Sequence, residues 1–290
     1  MIVTVTGGKG GCGKSFIATS IAYLLSNTGY HVLLLDTDVD NPSTPYLLET
    51  KLEETREVYI FNPVIDHSRC IRCLKCVENC IEHALTYIPG KGIVFLKELC
   101  NGCGVCKIVC PVDAVGEGRG FEGYYRYYST PYNIDLVTGE VNPGNPRTIY
   151  FTARLVEEHK HLFNRYDYVV IDSPPGSSAR IYSVVKYAGK AVVVTEPTPL
   201  SISDLWRNLD VVKRYIGLDN ILVVINKTGL SREKEESLKE RLESESIAYK
   251  EIPYSRLVVE SYYHGKPLPL LYPGSREASI LEGIMEWITS

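Results

Sequence analysis

Glutamine is missing from the chain altogether: none of its 290 residues is Gln. Whatever chemistry the protein performs cannot use that carboxamide to hold a water. Low Gln beside abundant Glu, Lys and Arg is also the composition of a thermophile's protein. A basic excess is lacking too, with 31 Lys and Arg against 35 Asp and Glu, a net charge of −4 and a pI near 5.9. That balance excludes a protein devoted to nucleic acid, whose phosphates call for clustered cations. No apolar run approaches the ~20 residues of a membrane span. Met1 leads directly into an apolar strand, so no signal peptide is expected and the cytoplasm is the expected compartment. Cysteine is scarce outside one region: of nine, eight lie between Cys70 and Cys110 and Cys12 stands alone. In a cytosolic chain such clustering indicates metal, not disulfides. A hydrophobic content of 44% suffices for one large α/β domain or two smaller ones.

What is present is organised around the N-terminus. Met1–Thr6 reads as a buried strand, Gly7–Ser15 as a glycine loop, and Phe16–Ser26 as a helix. Within the loop, Gly8 to Ser15 matches G-x-x-x-x-G-K-[ST] in the strand–loop–helix context that the phosphate-binding loop requires. The candidate nucleotide-binding segment is Gly8, Lys9, Gly10, Gly11, Cys12, Gly13, Lys14, Ser15 and Phe16. Its glycines let backbone N–H groups close around phosphates, and the helix N-terminus adds partial positive charge. Lys14 would reach the β- and γ-phosphates of ATP or ADP, and the Ser15 hydroxyl would take a Mg²⁺ position. A second apolar strand, His31–Asp36, runs into Thr37-Asp38-Val39-Asp40. Three acids at alternate positions at a strand's carboxyl end suit the management of Mg²⁺ and water. Tyr166–Asp172 is a third such strand, and Asp172 suits a carboxylate that polarises a Mg²⁺-bound water. With Gln absent, an Asp must orient the attacking water if hydrolysis occurs.

The string Lys9–Ser15 (KGGCGKS) resembles the deviant Walker A of the MinD/ParA/Mrp/nitrogenase-iron-protein superfamily of P-loop ATPases. The resemblance implies that Lys9 reaches across a dimer interface, making an ATP-dependent homodimer, and that Asp38 orients the hydrolytic water. The loop Asp172-Ser173-Pro174-Pro175-Gly176 is similar to the γ-phosphate-sensing switch of the Mrp-like branch, which implicates Pro175 and Gly176. Asn226-Lys227 matches a strand-end pair whose Asn reads adenine in similar proteins. Asp40 has no fixed counterpart.

From about Val58 the α/β alternation stops. Cys70-x2-Cys73-x2-Cys76-x3-Cys80 and Cys100-x2-Cys103-x2-Cys106-x3-Cys110 each have bacterial ferredoxin spacing, in which the fourth cysteine serves the other cluster. One [4Fe–4S] cluster is thus expected on Cys70, Cys73, Cys76 and Cys110, and a second on Cys80, Cys100, Cys103 and Cys106. Zinc knuckles also use C-x2-C pairs, although identical 2-2-3 gaps in two runs are less natural for tetrahedral zinc. Ile81 stands where a proline would usually follow Cys80. Cys12 is expected to be a small filler whose pKa the adjacent helix terminus depresses.

The remaining expectations are organisational. A hairpin is expected over 84–96, turning at Pro89–Gly92, and another over Asn133–Asn142, turning at Thr138-Gly139. Helices are expected over 147–163 and 231–244, the second merely solvated. The final helix, 275–288, carries Ile280, Leu281, Ile284, Met285 and Ile288 on one face, and its acidic opposite face suits a core helix, not a membrane anchor. The expected fold is α/β: a P-loop ATPase domain (1–57 and 121–290) with a mostly parallel sheet, helices on both faces, and an inserted α+β ferredoxin domain (58–120). The resemblance implies seven or eight strands. Such a chain would couple nucleotide state to electron transfer, or to iron–sulfur or metallocofactor assembly on a partner protein. The alternative is a nucleotide-dependent docking switch with structural or redox-sensing clusters.

Overall fold

The computed structural model describes residues 1–144, 147–176, 179–229 and 231–290. In chain order its elements are β1 (Ile2–Thr6), α1 (Lys14–Asn27), β2 (Val32–Asp36), β3 (Lys51–Ile65), α2 (Lys75–Glu78), β4 (Leu85–Ile88), β5 (Gly92–Phe95), α3 (Val105–Ile108), β6 (Val115–Ser129) and β7 (Ile134–Val141). Then come α4 (Thr148–His159), β8 (Tyr168–Asp172), α5 (Ala179–Val185), β9 (Lys190–Thr195), α6 (Pro199–Val212), β10 (Ile221–Thr228), α7 (Arg232–Ser244), β11 (Ala248–Pro253), α8 (Arg256–His264), α9 (Leu268–Leu271) and α10 (Arg276–Thr289). Two compact units result: Met1–Thr55, Tyr125–Glu140 and Phe151–Ser290 form one, Arg56–Tyr124 and Val141–Tyr150 the other.

The first unit is built on parallel strands. β1 lies between β8 and β9, β10 between β9 and β11, and β2 between β8 and β7, all parallel. The full sheet order is β11-β10-β9-β1-β8-β2-β7-β6-β3, nine strands where the family resemblance implies seven or eight. The surplus comes from β6 and β3, which extend past the parallel set and each run from one unit into the other. β2 and β9 are buried at every position, as strands covered on both faces must be, which is why they read as unbroken apolar runs. α1 and α10 share one apolar cluster, with Ile17, Ile21 and Leu25 against Ala278, Leu281, Ile284 and Ile288. Ser275 caps α10 by accepting the Ala278 N–H, so the last helix is a core helix as its pattern implies. Among the described residues, no helix is long and apolar enough to cross a membrane.

Two expectations fail here. Residues 133–142 are not a hairpin: Ile134–Val141 is one strand, parallel to β2 with Asp36 opposite Thr138. Gly139 is required by packing instead of turning, since a Cβ there would lie 2.9 Å from Leu155 and 3.0 Å from both Phe151 and Val39. α7 is not merely solvated: Leu238 and Leu242 are buried, and Glu235 accepts the N–H groups of Gly229 at 2.9 Å and Ser231 at 3.2 Å.

In the second unit, β4 and β5 pair antiparallel from Leu85 opposite Phe95 to Ile88 opposite Gly92, the expected hairpin. The two cysteine runs fold alike. Arg72, Leu74 and His83 have positive φ of 58°, 62° and 52°, and the equivalent Gly102, Gly104 and Asp113 have 71°, 74° and 48°. Leu74 and Gly104 each open a single helical turn, α2 or α3, from the left-handed region. Sequence spacing equates the cysteines; the shared dihedrals show that the whole repeat is structural.

Candidate functional site

The carboxyl ends of β1, β2, β8, β9 and β10 converge on the glycine loop, where an open parallel sheet binds its ligands. Gly13 caps α1 with φ 102°, and a Cβ there would lie 2.3 Å from Asn226 Nδ2. The position therefore needs glycine for both conformation and space. Asn226 Nδ2 donates to the Cys12 carbonyl at 2.8 Å and braces the loop. Lys14 is buried, 6% exposed, and its ammonium donates to the Lys9 carbonyl at 3.1 Å. Gly176 N–H donates to the Gly8 carbonyl at 2.6 Å, tying the loop after β8 to the glycine loop.

Asp36 and Asp172 sit opposite each other in register at the ends of β2 and β8. Asp36 is fully buried and accepts from the N–H groups of Asp38 (3.0 Å), Ser43 (3.1 Å) and Thr44 (3.1 Å) and from the Thr44 hydroxyl (2.8 Å). It is the organiser of the 37–44 loop, a role that sequence did not separate from those of Asp38 and Asp40. Burial raises its pKa above the usual carboxylate range, and these hydrogen bonds only partly oppose that. Asp172 is pushed well up as well, first by burial and then by the nearby Asp36 charge, against the pull of Ser15 and Lys14. Both Asp172 carboxylate oxygens are buried with no hydrogen-bond partner among the described residues. Buried, orphaned carboxylate oxygens beside a lysine and a serine hydroxyl fit a divalent cation. The main chain carries the geometry further: Thr37 donates to the Asp172 carbonyl from its N–H at 2.9 Å and its hydroxyl at 2.7 Å.

A cavity of about 380 Å³ brings together Gly10, Gly11, Gly13, Lys14, Ser15, Asp38 and Pro175, seven of the sequence-predicted positions. A second, of about 300 Å³, is lined by Gly11, Gly13, Phe16, Asn226, Lys227 and the apolar face of α8. Tyr262 lines both and stacks on Phe16 at 6.2 Å and 26°; it stands in a helix with no motif to mark it. Its pKa is pushed up to about 12, mainly by burial. Lys227 occupies a bulge of β10 at φ 59°, a conformation that re-aims a side chain, and its ammonium donates to the Gly11 carbonyl at 2.8 Å and to Glu196. Glu196, nearly buried after β9, also lies 3.8 Å from Lys9 Nζ. Sequence carried no signal for Glu196. Cys12 departs from expectation: it is buried in the core, and burial pushes its thiol up instead of down.

The second unit holds the other candidate groups. Cys70, Cys73, Cys76 and Cys110 line one pocket, while Cys80, Cys100, Cys103 and Cys106 line another. Ala84 N–H donates to Cys80 Sγ and Ala114 N–H to Cys110 Sγ, both at 3.2 Å. Burial raises the Cys76, Cys100 and Cys106 thiols, Cys106 to about 11. For Cys100, the Gly102 N–H and the Arg147 guanidinium pull the other way. No three His, Cys, Asp or Glu groups among the described residues close to the spacing of a single metal ion. Four thiols around a hollow, with backbone N–H groups aimed at sulfur, fit a polynuclear cluster better than one tetrahedral ion.

A parallel sheet with a glycine loop leading into α1 and paired aspartates at the adjoining strand ends defines a P-loop nucleotide-binding fold. The chain belongs to the family described as CobQ/CobB/MinD/ParA nucleotide binding domain, whose model matches residues 3–268. An uncharacterized protein of Methanocaldococcus jannaschii is 32% identical over 295 residues, covering 99% of this chain and 97% of its own. A cytosolic Fe-S cluster assembly factor, CFD1, of Phaeosphaeria nodorum is 28% identical over 246 residues, 79% of this chain and 69% of its own. Among solved structures, the cell division ATPase MinD of Pyrococcus furiosus aligns with a TM-score of 0.61 at 19% identity, covering 100% of this chain and 98% of that one. That likeness concerns the fold.

Proposed function

We propose that this protein is a Mg²⁺-dependent ATPase carrying two [4Fe–4S] clusters, which couples nucleotide state to electron transfer in iron–sulfur or metallocofactor assembly on a partner protein in the cytoplasm. One observation carries the reading: the eight clustered cysteines divide between two pockets in the cross-over pattern, three from one run and the fourth from the other. Cys70, Cys73, Cys76 and Cys110 would hold one cluster and Cys80, Cys100, Cys103 and Cys106 the second, supplying one-electron chemistry. In the nucleotide unit, Lys14 would neutralise the phosphates, Ser15 and Asp172 would hold Mg²⁺ directly or through water, and Asp38 would orient the attacking water. Lys9 would complete a partner's nucleotide site in an ATP-dependent homodimer. The similarity to a relative named for Fe-S cluster assembly supports the assembly setting.

The test is compositional. Anaerobically purified protein should contain about eight irons and eight sulfides per chain and show thiolate-to-iron charge-transfer absorbance. Stoichiometric zinc without that absorbance would sink the reading.

A further inference from the structure

The two cysteine pockets are built alike, and they differ in the buried polar groups that reach their ligating cysteines. Cys80 and Cys110 each accept an N–H from the residue four positions on, at the same 3.2 Å. In the pocket of Cys80, Cys100, Cys103 and Cys106, the Gly102 N–H also donates to Cys100 Sγ at 3.4 Å. Beside it lies Arg147, 7% exposed, whose guanidinium donates to the Cys100 carbonyl. Its Nε is 3.8 Å from the carboxylate of Glu122, which is 2% exposed.

Reduction adds one negative charge to a cluster. A buried cation and an N–H aimed at a ligating sulfur each favour that added charge, and groups of this kind around the ligands set cluster potentials. Arg147 reaches the Cys100 main chain, whereas Glu122 meets the guanidinium from 3.8 Å, so the cation has the nearer claim on the site. We propose that Arg147 and the Gly102 N–H make the Cys80, Cys100, Cys103 and Cys106 site the higher-potential member of the pair, where an electron entering this unit comes to rest. Arg147 is then a positioning residue for charge, not a ligand. The inference rests on the cluster reading above and adds an order to the two sites.

The test is a redox titration of the anaerobically purified full chain, followed by electron paramagnetic resonance. Two midpoint potentials should resolve in the wild type. Arg147→Gln should shift the higher one downward and leave the lower in place, and Arg147→Lys should restore it toward wild type. Glu122→Gln, which removes the opposing charge, should shift the same potential upward. Opposite signs from two neighbouring substitutions are not what general loosening produces, and Glu122→Gln carries the test if Arg147→Gln loses its iron. Two clusters whose potentials neither variant moves, or a shift confined to the lower one, overturn this inference alone. Protein without iron overturns the cluster reading and this inference with it.

Discussion

Asp36 and Asp172 end neighbouring strands in register, and both are buried, yet their surroundings give them different work. Asp36 has its oxygens occupied by three N–H groups and a hydroxyl of its own loop, so it holds the shape on which Asp38 depends. Asp172 has no hydrogen-bond partner for its buried oxygens among the described residues, which suits a group that would hold a cation. Lys14, enclosed beside them, lines the cavity at the glycine loop. We predict that Lys14→Ala abolishes nucleotide binding measured by calorimetry. Asp38→Ala and Asp172→Ala should keep binding within roughly tenfold while phosphate release falls by about two orders of magnitude or more, because their proposed action is on water and Mg²⁺ along the reaction. Unchanged hydrolysis in Asp38→Ala would remove Asp38 from the mechanism. Most of this cradle was legible from spacing, since a phosphate loop is contiguous. Asp36 was not separable from its alternating neighbours, because sequence does not say which carboxylate turns inward. Asn226 braces the glycine loop through the Cys12 carbonyl, a contact that no motif encodes. Glu196 and Tyr262 reach the site only through the fold.

The strands were legible to the extent that burial wrote itself into them. β2, β8, β9 and β10 read as continuous apolar runs because both faces are covered. β7 failed because Thr138-Gly139 imitates a turn, whereas the glycine is there for the close approach of α4 and the 37–44 loop. The cysteine repeat was legible as spacing, but its paired left-handed residues were not, since Arg72, Leu74, His83 and Asp113 carry no sign of positive φ. For β7 the claim has a direct check. Gly139→Val would thrust branched carbons at Leu155, Phe151 and Val39, where even a Cβ sits at 3.0 Å or less. Overpacking of this kind costs about 1–3 kcal/mol, so the urea midpoint should fall with no change in the slope of the transition. A variant as stable as wild type would show that close packing does not dictate glycine at position 139.

At the scale of the molecule, the chain leaves the nucleotide unit along β3 and returns along β6, and each strand crosses the division without a break. β3 begins seven residues beyond Thr44, the threonine that Asp36 fastens from two sides. The 37–44 loop, which carries Asp38, is therefore joined by a short, partly 3₁₀ segment to the strand that carries the chain toward Cys70. Loops of this kind order and loosen with the γ-phosphate in switching proteins. If the proposed coupling holds, a change of nucleotide must alter the free energy of reducing the clusters, and by reciprocity reduction must alter nucleotide affinity by the same factor. Midpoint potentials measured without nucleotide, with ADP and with a non-hydrolysable ATP analogue should therefore differ, and the analogue should bind reduced and oxidised protein with a matching ratio of dissociation constants. A coupling of about 1.4 kcal/mol would appear as a tenfold ratio. The Lys9→Ala variant separates the two routes by which the effect could arise. Lys9 pairs with Glu196 of its own chain and, in the proposed dimer, would reach a partner's nucleotide instead. A potential shift that disappears in Lys9→Ala runs through dimer closure; one that survives runs within the chain. Potentials identical in all three nucleotide states would leave the clusters uncoupled to ATP, and a docking switch with structural clusters would then be the better account.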